Sequence, residues 1–448
     1  MKHTMEHEIT PVFLLRFTLP SIIMMVVLSL YTVADGVLVS YFVGTEAFSA
    51  INVVYPLMSI VVALGTMFGT GTTAIVSRKL GEGDRQGANE LFSFVIAVTV
   101  GIGLVLGALL LLFLKPVIWL LGANEALFPY CYQYAMPMLC FLPMSILQIQ
   151  FQSLIVAAGK PQLGLCMTII SGVTNILLDS VFMGVFHWGI AGAAVATGIG
   201  FCIPAVFGLC YFRWNQKAAF RLIRPVSHWR QLAAAAANGS SEMVSYLSES
   251  VTTFLFNVTM MRLMGQQGVA AVAIVLYVDF VLVAISLGYA MGVAPLISYN
   301  YGKGDARNIR KIFHISLISC AVIGVSMTLG THGLGGRLAA FFAPVGSPIY
   351  RLAVTGMGYY GLSYLMKGTN LFASALFTAF GNGRVSAALS FLRTLVFLAG
   401  SILTMAALFG VIGVWCAAPV AETLALSVSL FCIVRYRDVY PYTSRFGS

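Results

Sequence analysis

The chain carries one stretch of sequence twice, at residues 44–84 and again at residues 265–305. The first copy reads GTEAFSAINVVYPLMSIVVALGTMFGTGTTAIVSRKLGEGD and the second reads GQQGVAAVAIVLYVDFVLVAISLGYAMGVAPLISYNYGKGD. They align without a gap at an offset of 221 residues, and 10 of 41 positions are identical, including Gly71 with Gly292. The same offset relates Gly189 to Gly410. This duplication predicts two similar halves.

Both copies are continuous apolar runs, as is most of the chain. Hydrophobic residues make up 59% of the 448 positions and charged residues only 9%, whereas soluble proteins carry about 25% charged residues. A helix needs ~20 apolar residues to cross a bilayer, and these runs are too long for barrel strands. The sequence therefore predicts an all-α integral membrane protein with twelve transmembrane helices in two pseudo-symmetric six-helix bundles. The predicted spans are 11–38, 50–77, 92–115, 128–158, 163–187, 190–213, 236–263, 270–298, 312–335, 348–378, 387–408 and 412–434.

The repeat also predicts the division of the chain. Residues 1–220 form an N-terminal six-helix bundle, 221–234 a basic cytoplasmic linker, and 235–448 a C-terminal six-helix bundle. The linker carries Arg221, Arg224 and Arg230. Because each half has an even number of spans, the two copies run parallel.

The positions of the basic residues predict the orientation. When the N-terminus is placed in the cytoplasm, most of the 25 Lys and Arg residues lie on the cytoplasmic side of the membrane. Two lie within spans, and only four lie on the external side: Lys115, Arg262, Arg337 and Arg351. Short cytoplasmic loops are enriched in Lys and Arg, so both termini are expected in the cytoplasm of a multi-pass protein of the inner or plasma membrane. The start of the chain has no cleavable signal pattern. This asymmetry explains the net charge of +10, so nucleic-acid binding is not needed to account for it.

Parallel repeats in a many-span protein are typical of secondary transporters, in which two bundles rock about a central site. A duplicated channel or an integral membrane enzyme is the alternative. The sequence has no phosphate-binding loop of the Gly-x-x-x-x-Gly-Lys type and no His-Glu-x-x-His motif. Its eight cysteines are scattered, so we expect neither disulfides nor a metal site, and no cofactor.

The Gly-x-Gly-Asp segments that close both copies resemble phosphate cradles. Each directly follows a span and lacks the preceding strand that a phosphate-binding loop requires. We therefore interpret residues 81–84 and 302–305 as tight cytoplasmic turns.

Two acidic residues lie inside spans of the first bundle. Asp35 follows Tyr31 by four residues in the first span, and Asp179 follows Asn175 by four residues in the fifth. Residues four apart share one helix face, so Tyr31 is placed to donate a hydrogen bond to Asp35. An ionisable group in the membrane is costly and marks a functional candidate, although Asn175 taken alone is typical of polar contacts that hold helices together.

These acids predict coupling by protons. An apolar cavity disfavours the charged form of a carboxyl, and a second carboxyl nearby does so further. Protonation from outside would neutralise Asp35 and disfavour a bound cation, and deprotonation on the cytoplasmic side would restore the site. Pro20 removes a backbone hydrogen bond from the first span, so we expect a helix kink that lets Asp35 move.

At this point the chain resembles the multidrug and toxic compound extrusion (MATE) transporters over almost its whole length. The resemblance rests on Pro20 with YTVADGVLVSYFVG, on GTGTTAIVSRKLGEGD, on NILLDSVFMGVFHWGIAGAAVAT and on GVIGVWCAAPVAE. It implies twelve helices around a V-shaped cavity and export driven by a proton or sodium gradient. The DinF-like branch, named after the DNA-damage-inducible transporter, is the more similar. Its ion-coupling cluster matches Tyr31, Asp35, Asn175, Asp179 and Thr197.

The second bundle has its own intramembrane charges: Glu249, Asp279, Lys367, Arg393 and Glu422. Glu249 is similar in position to an acid of the other large branch, so a sodium contribution stays open. We interpret Lys367 or Arg393 with Asp279 or Glu422 as a structural ion pair. Glu249 and Asp279 are instead placed to attract a cation.

Taken together, the residues predict a multidrug exporter that exchanges protons for amphipathic organic cations by alternating access. Sodium coupling, a lipid-linked sugar flippase and, from another class, a membrane enzyme are the alternatives. The expected partners are small cationic drugs or toxins and membrane lipids. The internal duplication lets a monomer work alone.

Overall fold

The computed structural model describes residues 8–443, and no β-strand occurs within that range. Its helices pack in two bundles, as the repeat predicts. The helices are α1 (Pro11–Phe42), α2 (Thr45–Gly81), α3 (Arg85–Leu112), α4 (Leu114–Leu120), α5 (Phe128–Cys140), α6 (Leu142–Ala157), α7 (Pro161–Asp179), α8 (Gly189–Trp214), α9 (Trp229–Lys303), α10 (Ala306–Ala340), α11 (Pro348–Tyr360), α12 (Tyr364–Ala379), α13 (Gly383–Phe391) and α14 (Leu398–Arg435).

These helices make up twelve spans across the described residues. The long helix α9 is broken at Gly265 and α14 at Gly410, where φ is 63° and 58°, so each contains two spans joined by a tight reversal. Glycine tolerates this left-handed backbone because it has no Cβ. The pair α5 and α6 is bent by 62° and forms one span, α11 and α12 form another, and α13 continues into α14. The predicted all-α fold is confirmed.

The connection between the bundles differs from the predicted linker 221–234. It runs from 215 to 228, because α8 ends at Trp214 and α9 begins at Trp229. The alanine-rich run after Trp229 favours helix, so α9 begins before residue 236, where the seventh span was predicted to start. The connection is held against α3, where the backbone N–H of Arg221 donates to Asn89 Oδ1 over 2.7 Å.

A buried aromatic cluster closes each bundle where its sixth span ends. Phe220, in the connection after α8, packs against Phe92 and Phe212, with ring centroids 4.9 and 4.8 Å away. In the second bundle, Tyr440 follows α14 and stacks on Phe380 at 4.5 Å. The chain after each sixth span is thus tucked under its bundle by the same kind of contact.

The two Gly-x-Gly-Asp segments form the predicted turns. Asp84 accepts a hydrogen bond from the N–H of Gly87 over 2.8 Å and caps α3. Asp305 accepts from the N–H of Asn308 over 3.0 Å and caps α10. Lys79 donates to Asp84, which lowers the pKa of that carboxyl and keeps the cap charged.

The turns lie at one end of the molecule, which we call the basic face because Arg78, Lys79, Lys303 and Arg310 lie there. Close contacts between the bundles occur toward this face. A methyl group on Gly81 would overlap the carbonyl of Tyr299, and one on Gly302 would overlap that of Arg78. The repeated glycines therefore let α2 and the second arm of α9 cross with their backbones in contact.

Two further contacts seal the bundles in the same half. Gly71 of α2 packs on Ala235 and Gly239 of the first arm of α9, and a Cβ on Gly71 would lie 3.0 Å from the Gly239 nitrogen. Gly292 packs on Thr18 of α1, where a Cβ would lie 3.0 Å from the threonine methyl. The bundles are closed at the basic face.

Candidate functional site

The first candidate site lies among α1, α7 and α8 of the first bundle. Asp35 of α1 and Asp179, the last residue of α7, have neighbouring carboxyl groups. One turn before Asp179, Asn175 donates its amide to the hydroxyl of Thr197 on α8 over 3.2 Å. The fold therefore brings together residues that are up to 162 positions apart in the sequence.

Tyr31 lies at the edge of this cluster. Its ring packs on Gly172 of α7, where an added Cβ would lie 3.1 Å from the ring. Among residues 8–443 its hydroxyl makes no hydrogen bond to Asp35, although the two groups are electrostatic neighbours. Tyr134 of α5 approaches both carboxyls and was not anticipated, because nothing in its sequence surroundings relates it to either acid.

Several oxygen atoms of the cluster are buried and unpaired. Asp35 Oδ1, both carboxyl oxygens of Asp179 and Asn175 Oδ1 have no hydrogen-bond partner among the described residues. Asp179 is wholly buried. A buried polar atom without a partner is costly, so each such atom calls for a proton, an ion or a water. These oxygens are therefore open to a proton, a cation or a water molecule.

Local backbone structure presents Asp179 to this site. Directly after it the chain forms a π-helical turn, Ser180–Val185, and then reverses at His187 with φ 54° before α8 begins. Single π-helical turns are frequent at functional sites. Pro20, the predicted kink, is buried within a continuous α1 and lies beside Thr18, which contacts the second bundle.

The second bundle contains an ion pair between Lys367 of α12 and Asp279 of α9. The Lys367 Nζ to Asp279 Oδ1 distance is 2.8 Å, and the Tyr360 hydroxyl donates to Asp279 Oδ2 over 3.0 Å. The ammonium group also lies over the rings of Tyr360 and Tyr364 at 5.0 and 5.3 Å. Lys367 is 6% exposed, so the pair lies in a largely water-free setting.

A second ion pair joins Arg393 and Glu422. The Arg393 Nη1 to Glu422 Oε1 distance is 3.2 Å, and Asn370 donates to Glu422 Oε2 over 2.7 Å. Ser429 donates to Asn370 Oδ1 over 2.9 Å, which fixes the orientation of the amide. Lys367 and Arg393, the two cations that the sequence places within the membrane, are therefore each paired with a carboxylate.

Replacing Lys367 by Met should destabilise the protein by about 3 kcal/mol, because a buried carboxylate is left without its partner. The expected result is a clear drop in the melting temperature of the purified protein in detergent, followed by tryptophan fluorescence. The double variant Lys367→Met with Asp279→Leu removes both charges and should recover most of the loss. A single variant that melts like the wild type would contradict a structural role for this pair.

A third group of polar residues lines the first arm of α9. Glu242, Tyr246 and Glu249 are spaced by four and three residues and so share one face. The charges that act on Glu249 come from Asp279, Lys367 and other groups of the second bundle, whereas Tyr55 of α2 approaches it from the first bundle. Glu249 is exposed despite its position in mid-span, so it faces the space between the bundles.

Neither Glu242 nor Glu249 makes an ion pair or a side-chain hydrogen bond within residues 8–443. Arg393 acts electrostatically on both acids, and Lys367 also acts on Glu249, but neither cation is paired with them. The sequence reading did not include Glu242, Tyr246 or Tyr55 in the site. The seven-residue spacing from Glu242 to Glu249 was the available signal, since it places two acids on one helix face.

No group of three or more His, Cys, Asp or Glu residues able to hold a metal ion occurs in the part of the chain that the structure describes. The eight cysteines are all free thiols there.

The sequence and the fold were then compared with known proteins. The MatE family model matches residues 20–181 and 243–403, one segment in each bundle. This chain belongs to the MATE family of transporters.

Curated relatives of this MATE transporter include the multidrug export protein MepA of Staphylococcus aureus strain MRSA252, 26% identical over 96% of the chain and 95% of MepA. MepA of Staphylococcus haemolyticus is 25% identical over 95% and 93%. A solved structure described as an outward-facing MATE family transporter of the MOP superfamily superposes with a TM-score of 0.90, covering 97% and 98% of the chains at 21% identity. Membership of a transporter family rejects the membrane-enzyme alternative.

Proposed function

We propose that this MATE transporter exports amphipathic organic cations from the cytoplasm in exchange for protons. The observation that carries the proposal is the neighbouring pair of half-buried Asp35 and buried Asp179, in which Asp35 Oδ1 and both oxygens of Asp179 lack hydrogen-bond partners within the described residues. The relatives named as multidrug export proteins support the substrate class. The DinF-like branch remains a prediction from the residues of this cluster.

Coupling follows from electrostatics at the carboxyl pair. Two neighbouring buried carboxylates repel each other strongly, and one proton removes the repulsion and lets one group donate to the other. A cation bound nearby would neutralise the pair equally well. Proton and cation therefore compete, and the binding of one favours the release of the other.

Alternating access requires that the bundles close on one side at a time. In this structure they are in contact toward the basic face, through Gly71, Gly81, Gly292 and Gly302. The positive-inside rule assigns that face to the cytoplasm. The cavity would accordingly open outward, the state in which protons enter and substrate leaves. The buried Pro20, adjacent to these contacts, offers a hinge within α1.

Charge in the inter-bundle cavity favours a cationic substrate. Glu242 and Glu249 make no ion pair within residues 8–443, and Tyr55, Tyr246 and Tyr277 lie near Glu249 or near one another. Aromatic faces attract organic cations by up to about 2 kcal/mol when water is excluded. Acidic and tyrosine side chains between the bundles suit a hydrophobic organic cation.

The same geometry bears on two other transport activities, sodium-coupled export and the flipping of lipid-linked sugars. The acids Glu242 and Glu249 also suit a sodium ion, so sodium coupling through the second bundle is the second candidate. A flippase of pyrophosphate-linked sugars needs free cationic side chains. Lys367 and Arg393 are already paired with Asp279 and Glu422, so this function has little support.

The deciding experiment is substrate-induced proton release from the purified wild-type protein in liposomes, with tetraphenylphosphonium as the cation. Proton coupling predicts release that rises with the cation concentration and is unchanged when sodium replaces choline. Cation-driven sodium release without protons would reject proton coupling and select the second bundle. If neither protons nor sodium are released, the proposed exchange is rejected.

Replacing both Glu242 and Glu249 by Gln should raise the half-saturating concentration of tetraphenylphosphonium roughly tenfold or more, because two cavity charges are removed. Proton release at saturating cation should persist, since Asp35 and Asp179 are intact. Glu125→Gln, which removes one exposed acid from a loop, is the control and should behave like the wild type. An unchanged half-saturation in the double variant would show that these acids do not attract the substrate.

A further inference from the structure

A cavity separate from the sites described above opens at the basic face, between the start of α1 and the start of α10. Its volume is about 660 Å³. Thr10 and Pro11 line it on one side, and α10 contributes four basic side chains on the other. These are Arg307, Arg310, Lys311 and His314.

The four basic side chains form one stripe, because their spacing of three, one and three residues places them on the same face of α10. Lys311 donates to Glu8 over 3.1 Å at the rim of the cavity. Arg310 donates to a backbone carbonyl within its own helix, and Arg307 makes no ion pair within residues 8–443. Among residues 8–443, three permanent cations thus face one acid, Glu8, and this part of the cavity lining is positively charged.

Apolar surface continues from the cavity into the membrane on both helices. Leu15 lies one turn after Pro11 and is 59% exposed. Ile318 lies one turn after His314 and is 66% exposed, and Val322 follows it at 59%. Exposed apolar side chains on α1 and α10 therefore follow the charged cavity along both helices, and we call the cavity together with these side chains the groove.

We propose that this groove binds one anionic phospholipid, with its phosphate among Arg307, Arg310 and Lys311 and its acyl chains along α1 and α10. A basic cluster next to a membrane span attracts anionic headgroups, and each Lys or Arg adds to the attraction. The exposed Leu15 and Ile318 account for the chains, which a soluble phosphate lacks. The basic side chains therefore suit the headgroup of the lipid, and the apolar side chains suit its acyl chains.

The position of the groove adds a consequence for conformation. Its α1 wall belongs to the first bundle and its α10 wall to the second. A lipid that contacts both walls bridges the bundles beside the contacts of Gly292 with Thr18. Anionic lipid should accordingly favour the state in which the basic face is closed.

The test uses the full-length protein in detergent, titrated with dioleoyl phosphatidylglycerol and followed by native mass spectrometry. Arg307→Gln, Arg310→Gln and Lys311→Gln combined should weaken the tightest phosphatidylglycerol binding roughly tenfold or more. The matched control removes three cations from the opposite face, with Lys115→Gln, Arg337→Gln and Arg351→Gln, and should bind as the wild type does. Phosphatidylcholine should bind to all three proteins equally.

A second measurement tests whether the lipid draws the two bundles together. It records the distance between spin labels at Gln86 and Lys303, which lie on opposite bundles. Phosphatidylglycerol should shorten the mean distance in the wild type and the control but not in the triple variant. Equal phosphatidylglycerol binding by the triple variant would overturn the proposal. So would inorganic phosphate that binds as tightly as the lipid, or a label distance that does not respond to the lipid.

Discussion

Asp179→Asn should reduce cation-induced proton release in liposomes to the level of empty vesicles. Asparagine resembles the protonated acid in shape but cannot take up or release a proton. Asp179 is wholly buried beside Asp35 and has no hydrogen-bond partner within residues 8–443, so no other group of the structure replaces its charge. Asp35→Asn should have the same effect, because the two carboxyls act as one pair.

The pH dependence of cation binding should show that protons and the cation compete. In the wild type, tetraphenylphosphonium should bind more weakly as the pH falls, because protons and the cation compete for the same pair. Asp179→Asn should bind weakly at every pH and lose this dependence. Glu125→Gln is again the matched control, and the melting temperature of each variant tests its folding. Persisting release in both Asp179→Asn and Asp35→Asn would assign coupling to Glu249 and Asp279 instead.

Gly71→Ala should prevent the tight closure of the basic face. Its new methyl group would lie 2.7 Å from the carbonyl carbon of Ala235 and overlap the carbonyl oxygen. Both are backbone atoms, so they cannot rotate aside as a side chain can. Overpacking of this kind costs about 1–3 kcal/mol, which corresponds to a 5- to 150-fold change in the population of the closed state.

The measurement is the spin-label distance between Gln86 and Lys303, which should lengthen in Gly71→Ala, together with a matching loss of transport. Gly101→Ala makes the same change on α3 at a position with no atom within 4 Å, and it should leave both readouts unchanged. Gly292→Ala should have a smaller effect than Gly71→Ala, because the nearest atom there is a threonine methyl. Equal closure in Gly71→Ala and Gly101→Ala would contradict this role for the glycine contacts.

The repeated motif had two roles, of which only one was visible in the sequence. The closing Gly-x-Gly-Asp segments predict turns, and the structure forms them with Asp84 and Asp305 as helix caps. The same segments also bring α2 and α9 into contact through Gly81 and Gly302. A turn depends on neighbouring residues, whereas a contact between helices depends on where each bundle places its partner.

The polar residues divide in a similar way. Spacing within one helix places Asn175 on the same face as Asp179. The same rule would have placed Glu242 on the same face as Glu249. It cannot choose between the pairings of Lys367 and Arg393 with Asp279 and Glu422, because each partner lies on another helix. The structure pairs Lys367 with Asp279 and Arg393 with Glu422. Tyr134 and Tyr55 join their clusters only through packing.

The sequence by itself determined that this protein crosses a membrane with helices, that it consists of two related halves, and which acids lie within its spans. Those properties follow from the apolar length of each run and from the repeat, both of which are local or periodic. Only the tertiary structure decided that Asp35 meets Asp179, that Glu242 and Glu249 stay unpaired in the described chain, and that the bundles touch at the basic face. These three features depend on contacts between helices that are distant in the sequence. The free energies of such contacts depend on which polar groups are buried next to each other.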